Sequence, residues 1–386
     1  MSSATEDQTQ RAIIAKRKDD HLALCASGEV NFRARSSLFE AVEFVHDSLP
    51  DFSIDSVSLE VELFGKRLKA PLIIAAMTGG TDNAERINCD LARAADELGL
   101  GFGLGSQRAM VVRPETASSF QVRQVAPRAL ILGNIGVVQA REMSSSAIGE
   151  LVASVGADAL CVHLNPAMEL IQPNGDRDFG GGLETLRRLV HDLRVPVIAK
   201  ETGCGISRSV AVRLVSAGVA AIDVSGAGGT SWVAVETRRA TSTRLQRLGE
   251  LLWDWGIPTA ASVGMVAALG PEAKIIATGG VRSGVDVAKA IALGASAAGI
   301  AAPVLRAHQT GGYDGVVEFL EATIEELRAV TFLTGCENVR GLRHVPRVIG
   351  PELREWLAAD QRVAAAASGQ EETRTHRSAV NGWRDA

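Results

Sequence analysis

The sequence predicts a (β/α)8 TIM barrel, a single-domain α/β fold, on three observations. Eight short apolar runs recur along the chain, each followed by a segment with apolar residues at helical spacing. The runs are continuous rather than alternating, as strands buried on both faces of a parallel sheet require. Polar or glycine residues stand at nearly every run's C-terminal end, where barrels of this type keep their functional groups. A doubly wound sheet also alternates strand and helix, but more often with fewer strands and one glycine-rich turn after the first.

In chain order the runs are PLIIAAM (71–77), LGFGLG (100–105), ALILGNIG (129–136), DALCVHL (158–164), VPVIAK (195–200), AAIDVSG (220–226), KIIATGG (274–280) and AAGIAAP (297–303). Linkers such as NCDLARAADELGL and SGVDVAKAIALGA carry the helical spacing. The widest gap, between 226 and 274, exceeds a barrel helix and reads as a longer loop plus helix after the sixth strand. An insertion there often covers substrate. Residues 71–359 form the expected barrel, and 13–70 an extension packing on it and carrying a substrate-binding segment. Residues 1–12 read as disordered and 360–386 as a frayed helix and tail.

Composition narrows the partners. With 386 residues, 46% hydrophobic and only 4% aromatic, the chain suits small residues packed closely between helices and a parallel sheet. A net charge of −5 makes no electrostatic case for nucleic acid or an anionic membrane, so a site for an anion must concentrate positive charge locally. The five cysteines are scattered without C-x-x-C spacing, which points to reduced thiols in a cytoplasmic protein. No run approaches the length of a membrane span, and the polar, acidic N-terminus does not read as a signal peptide.

The strand ends supply the chemistry. Gly279, Gly280 and Arg282 after the seventh run, with Ala301 and Ala302 after the eighth, stand where a barrel commonly binds phosphate. Lys200 ends the fifth run; buried at a barrel mouth it needs an anionic partner, for which the electron-rich edge of a reduced flavin is one candidate. His163 and Asn165 share a strand face, and Glu169 follows in the loop as the single carboxylate that, with substrate phosphates and water, would suit Mg2+. Arg17, Lys18 and His21 concentrate positive charge in five residues, and Arg108 would grip a diphosphate from the other side.

These residues fall into a recognisable pattern. Arg17-Lys18-x-x-His21, Met77-Thr78-Gly79-Gly80, Gly105-Ser106-Gln107-Arg108, His163-Leu164-Asn165, Gln172-Pro173-x-Gly175-Asp176-Arg177-Asp178, Lys200-Glu201, Asp223-Val224-Ser225-Gly226-x-Gly228-Gly229-Thr230 and Gly279-Gly280-Val281-Arg282 resemble the type 2 isopentenyl diphosphate isomerases, in the same order from about 16 to 345. The resemblance implies an FMN- and Mg2+-dependent enzyme interconverting isopentenyl and dimethylallyl diphosphate, with NADPH or another reductant keeping the flavin reduced as acid and base. By similarity, Ala76, Met77, Thr78, Ser106, Asn134, Lys200, Ser225, Thr230, Gly279, Gly280, Arg282, Ala301 and Ala302 would line the flavin. Arg17, Lys18, His21, Ser106, Gln107, Arg108 and the residue at Met168 would face substrate; His163, Asn165 and Lys200 would serve catalysis; Glu169 would hold Mg2+. A homo-oligomer, tetramer or octamer, is implied as well.

One position departs from the pattern. The family carries glutamine where this chain has Met168, and a thioether is only a weak acceptor. Either the flavin carries the proton transfers alone, or Gln172 substitutes from one helical turn on, or the site serves a different prenyl substrate or reaction. The alternatives are a flavin-dependent oxidoreductase on the same barrel and a catalytically altered homologue. A hydroxy-acid oxidase would need a late histidine base, and none lies between His191 and His308.

Overall fold

The computed structural model describes residues 20–360. Eight parallel strands close into a barrel: β1 Leu72–Ile74, β2 Gly101–Gly103, β3 Leu130–Gly136, β4 Ala159–Leu164, β5 Val197–Glu201, β6 Ala221–Asp223, β7 Ile275–Ala277 and β8 Ala297–Ile300. Their order around the barrel is β7-β8-β1-β2-β3-β4-β5-β6, and pairing of Ile222 with Ile275 completes the ring. All eight lie within the runs read from the sequence, except that β5 extends one residue further, to Glu201. Every residue of β3 is buried, which explains why these strands are continuously apolar.

Five of the helices start at a hydroxyl that caps them. Thr81, Ser144, Ser207, Ser231 and Ser283 each accept a backbone N–H of the first turn they precede. Helix Asp82–Leu98 ends at Gly99, whose φ of 67° lets the chain turn into β2. After β2 the crossover is a short helix, Arg108–Val112, followed by 3-10 turns from Pro114 to Gln124. The last crossover, Ala302–Leu333, is kinked at Gly312.

The insertion after β6 differs from the expected loop plus one helix. It forms helices Trp232–Arg239 and Thr243–Leu251 before the barrel helix Thr259–Ala267. Val30 from the N-terminal extension, Ala234, Val235 and Trp253 make a small apolar core of their own, which is what stabilises two short helices outside the barrel. The extension is stitched to this insertion: Ser231 N–H donates to Val30 O, Trp253 Nε1 donates to Asn31 O at 2.9 Å, and the Arg33 guanidinium lies 3.5 Å over the Trp253 ring.

A later part of the extension packs at the opposite end. A hairpin, Val61–Leu63 with Lys66–Leu68, turns through Phe64 and Gly65, both at positive φ, and buries Leu63 and Leu68. Lys66 reaches Asp158 at the start of β4, which sets the hairpin beneath the N-terminal ends of the strands. Val42–Phe44 pairs antiparallel with Arg347–Ile349. All five cysteines are free. Among the described residues no helix is long and apolar enough to cross a membrane. Segments 1–12 and 361–386 and the cations Arg17 and Lys18 lie outside the described residues.

Candidate functional site

A cavity opens at the C-terminal ends of the strands. Its floor is polar. Lys200 at the end of β5 and Asp223 at the end of β6 are neighbours in strand register, and their side chains meet at 3.0 Å while both are buried. The Thr278 hydroxyl donates to Asp223 and lies 3.4 Å from the Lys200 ammonium. Beside them, the Asn134 amide donates to Leu104 O, which turns its Oδ1 toward His163 Nδ1 at 2.8 Å. That contact puts the His163 proton on Nδ1 when the ring is neutral.

One wall is a network built on Glu169. Pro166 opens helix Pro166–Ile171 and sets Asn165 at its N-cap. The buried Glu169 carboxylate accepts Asn165 Nδ2 at 2.8 Å on one oxygen, and Gln172 Nε2 at 3.1 Å and Asp176 N–H at 2.9 Å on the other. Burial raises its pKa against those hydrogen bonds and the nearby Arg108 charge. Met168 lies beside it, its sulfur 4.0 Å from Asn165 Nδ2. Gln172 also lines the cavity, but its amide nitrogen is turned to Glu169.

The opposite end is made of backbone. Gly279 and Gly280 have φ of 99° and 72°, and among the described residues neither N–H meets an intramolecular acceptor. Arg282 reaches back to Gly280 O and Gly228 O and ties the two glycine loops together. Ala301 and Ala302 begin the long last helix on the same side, and Arg306 lies one turn on. Ser225 lines the cavity at a φ of 35°, a strained value for a residue with a side chain. Met77, Ala76, Ser106, Arg108 and Thr230 also line the cavity.

The N-terminal extension closes one side. His21 lines the cavity, stacks edge-on against Trp232 and lies 2.8 Å from the wholly buried Glu236. Arg239 pairs with the same carboxylate.

Two residues singled out from the sequence do not line the cavity. Gln107 is fully buried: its Oε1 accepts Asn134 N–H at 2.9 Å and its Nε2 donates to Leu151 O at 3.2 Å. It braces the strand that carries Asn134, while Ser106 and Arg108 on either side face the opening. Thr78 is also buried, and its hydroxyl finds no hydrogen-bond partner among the described residues. Conversely, Arg306, Trp232, Gln139 and Thr278 line the cavity although the sequence did not single them out. Arg306 was legible, since it follows the eighth run by one helical turn.

Glu201, just behind the floor, accepts the N–H groups of Thr202, Gly203 and Cys204. Burial nevertheless pushes its pKa from 4.5 up to about 7. The folded protein therefore holds this proton more tightly than the unfolded chain. The resulting stability is fully present below pH 4.5 and lost as pH rises through about 7. Relative to Glu201→Gln, the unaltered protein should lose up to about 3 kcal/mol across that interval, read from urea midpoints at stepped pH. Parallel pH profiles for the two proteins would contradict this assignment.

The cavity's charge is uneven. Among its described lining residues Arg108, Lys200, Arg282 and Arg306 are cationic and Glu169 is the single carboxylate, in a chain of net charge −5. A deep, locally positive site with one buried acid and a glycine nest suits phosphorylated ligands.

Comparison with known proteins agrees. The model of the family described as FMN-dependent dehydrogenase matches residues 10–168 and 163–346. The isopentenyl-diphosphate delta-isomerase of Methanosarcina mazei is 46% identical over 347 residues, covering 89% of this chain and 94% of the relative. The protein of that name from Thermococcus onnurineus is 45% identical over 365 residues, covering 92% and 96%. The one from Methanothermobacter thermautotrophicus is 46% identical over 347 residues, covering 89% and 96%. Among solved structures, a mandelate oxidase variant with 4-Br-2-hydroxy-methylphenylacetate superposes with a TM-score of 0.60 at 22% identity, covering 87% of this chain and 96% of that one. A second, with a monooxide FMN adduct, gives 0.59 at 22% identity, covering 83% and 94%. These two structures share the barrel. With its strand-end residues gathered around one cavity, the chain belongs to the FMN-dependent dehydrogenase family and, within it, to the isopentenyl-diphosphate delta-isomerases.

Proposed function

We propose that this chain interconverts isopentenyl and dimethylallyl diphosphate, with reduced FMN and Mg2+ in the barrel mouth and NADPH as reductant. The observation that carries the reading is the single cavity in which a glycine nest, a buried lysine and a lone buried carboxylate face one space. The residues fit the cofactor. At Gly279 a Cβ would lie 2.1 Å from Gly226 O, so only glycine leaves the nest's N–H groups open to a phosphate. Thr78 brings an unpartnered buried hydroxyl to the loop that follows β1, beside the cavity lining at Met77. Met77, Ser106, Asn134, Lys200, Ser225, Thr230, Arg282, Ala301 and Ala302 would complete the hold.

Reduced FMN, when bound, supplies an electron-rich ring and a proton donor and acceptor for an unactivated alkene that must gain a proton at one carbon and lose one at another. The chain's own groups do the rest. Lys200 holds positive charge on the cavity floor. Arg108 and His21, from opposite sides, would clamp the diphosphate, with Arg17 and Lys18 as further expected partners. Glu169 would hold Mg2+, which keeps most of its hydration shell and needs few protein oxygens; Oε1, which accepts only Asn165 Nδ2, keeps a lone pair for it. His163, oriented by Asn134, and Asn165, oriented by Glu169, present fixed polar groups toward the reacting end. Trp232 and the N-terminal helix over 20–27 restrict water at the rim.

A hydroxy-acid oxidase would need its histidine base late in the barrel. Among the described lining residues the histidines are His21 and His163, whereas His308 is buried against Asp90 on the last helix. Met168 cannot perform an amide's chemistry, so the polar groups this chain would turn to the substrate on that wall are Asn165 and His163, which would position it.

The test is anaerobic incubation of the protein with FMN, Mg2+, NADPH and isopentenyl diphosphate, followed by assay for dimethylallyl diphosphate. Product that disappears when FMN is omitted or left oxidised is the expected result. Met168→Gln should raise kcat several-fold with FMN retention unchanged. No product from protein that still holds reducible FMN would sink the reading, and rescue by Met168→Gln would trace the loss to that residue.

A further inference from the structure

We infer that Asp223 is a counter-charge that sets how strongly Lys200 favours the reduced, anionic form of the bound flavin. Lys200 and Thr278 line both the mouth cavity and a smaller cavity inside the barrel, whereas Asp223 lines only the inner one. Asp223 therefore acts on the cofactor site through Lys200, as a positioning residue rather than a contact. Both its oxygens are engaged: Oδ2 meets the ammonium at 3.0 Å, and Oδ1 accepts the Thr278 hydroxyl and, at 3.3 Å, the Ser225 N–H. The pair sits among apolar walls that include Ile73, Leu104, Leu132 and Ile276, with little solvent to screen it.

Two consequences follow from electrostatics. A lone buried lysine beneath the ring would stabilise the anionic reduced flavin strongly over the neutral oxidised one. A carboxylate 3.0 Å behind it cancels much of that field at the cavity. Two-electron reduction with uptake of one proton adds one negative charge at this floor, so the balance of Lys200 against Asp223 enters directly into the ratio of the two affinities. The oxidant–reductant pair is the flavin and NADPH or dithionite. This inference rests on the FMN-dependent reading of the site.

The experiment is the midpoint potential of FMN bound to the full chain, by dye equilibration, together with Kd for oxidised and reduced FMN. Asp223→Asn removes the charge and keeps one oxygen for the ammonium, while its N–H2 faces the Thr278 hydroxyl, which can turn to accept. It should raise the reduced-over-oxidised affinity ratio at least tenfold, a positive shift of about 30 mV for a two-electron couple. Lys200→Met should move the ratio the other way, and adding Asp223→Asn to it should reverse that shift. If Asp223→Asn alone does not fold, the comparison of Lys200→Met with the double variant carries the same test, since the double variant buries no charge. An unchanged or lowered ratio after loss of the Asp223 charge, in protein that still binds FMN, overturns the inference. Equal weakening of both forms would also overturn it, leaving Asp223 a structural support. Failure of the unaltered protein to bind FMN at all overturns instead the functional reading beneath it.

Discussion

Glu169→Gln is expected to lower turnover with isopentenyl diphosphate by a hundredfold or more while leaving FMN bound. Glu169 is the single carboxylate among the described residues that line the cavity, so no neighbour can take over a metal. The substitution also sets an amide N–H2 against a donor whichever way it turns, because Asn165 Nδ2 points at one carboxylate oxygen and Gln172 Nε2 and Asp176 N–H at the other. A buried donor facing a donor costs about 1–3 kcal/mol, enough to loosen the turn at 172–176. Chelation should reproduce the defect in the unaltered enzyme and Mg2+ should restore it, whereas the variant should stay inactive at any Mg2+ concentration. Full activity of Glu169→Gln, or activity that survives exhaustive chelation, would remove Glu169 from the metal role.

Gly279→Ala should abolish FMN retention and destabilise the barrel by roughly 3 kcal/mol or more. The position combines a φ of 99° with a Cβ that would lie 2.1 Å from Gly226 O and 2.7 Å from Gly226 N. Both obstacles are backbone, so no side-chain rotation relieves them, and the two loops must separate. Separation would break the Arg282 contact to Gly228 O and disperse the N–H groups. Gly311→Ala is the control: a Cβ there meets nothing within 4 Å, and stability should change by less than about 0.5 kcal/mol. Thermal unfolding with and without FMN reads both effects. Wild-type FMN affinity in Gly279→Ala would show that the nest is not what holds the phosphate.

The contrast between Gly279 and Gln107 shows how much could be read in advance. Gly279 stands in a local pattern, strand then Gly-Gly then Arg, and the structure gives it the positive φ such a turn requires. Gln107 sits in an equally suggestive string between Ser106 and Arg108, yet its side chain points away from the cavity. Gln107 is the turn residue at the N-cap of helix Arg108–Val112, at φ −76° and ψ 3°, and its direction is decided by the tertiary partners Asn134 and Leu151. Likewise, the insertion's length was legible, but its two short helices depend on Val30 and Trp253 meeting across more than 200 residues of chain.

By itself the sequence determined the strand count, the parallel barrel and the set of polar strand ends, because apolar periodicity and turn chemistry are local properties of the chain. Only the tertiary structure decided which of those ends face one another. The Lys200–Asp223 pair exists because β5 and β6 align in that register, and the Glu169 network exists because a turn seven residues on folds back over it. Register and closure accumulate over all eight strands, so no local window contains them.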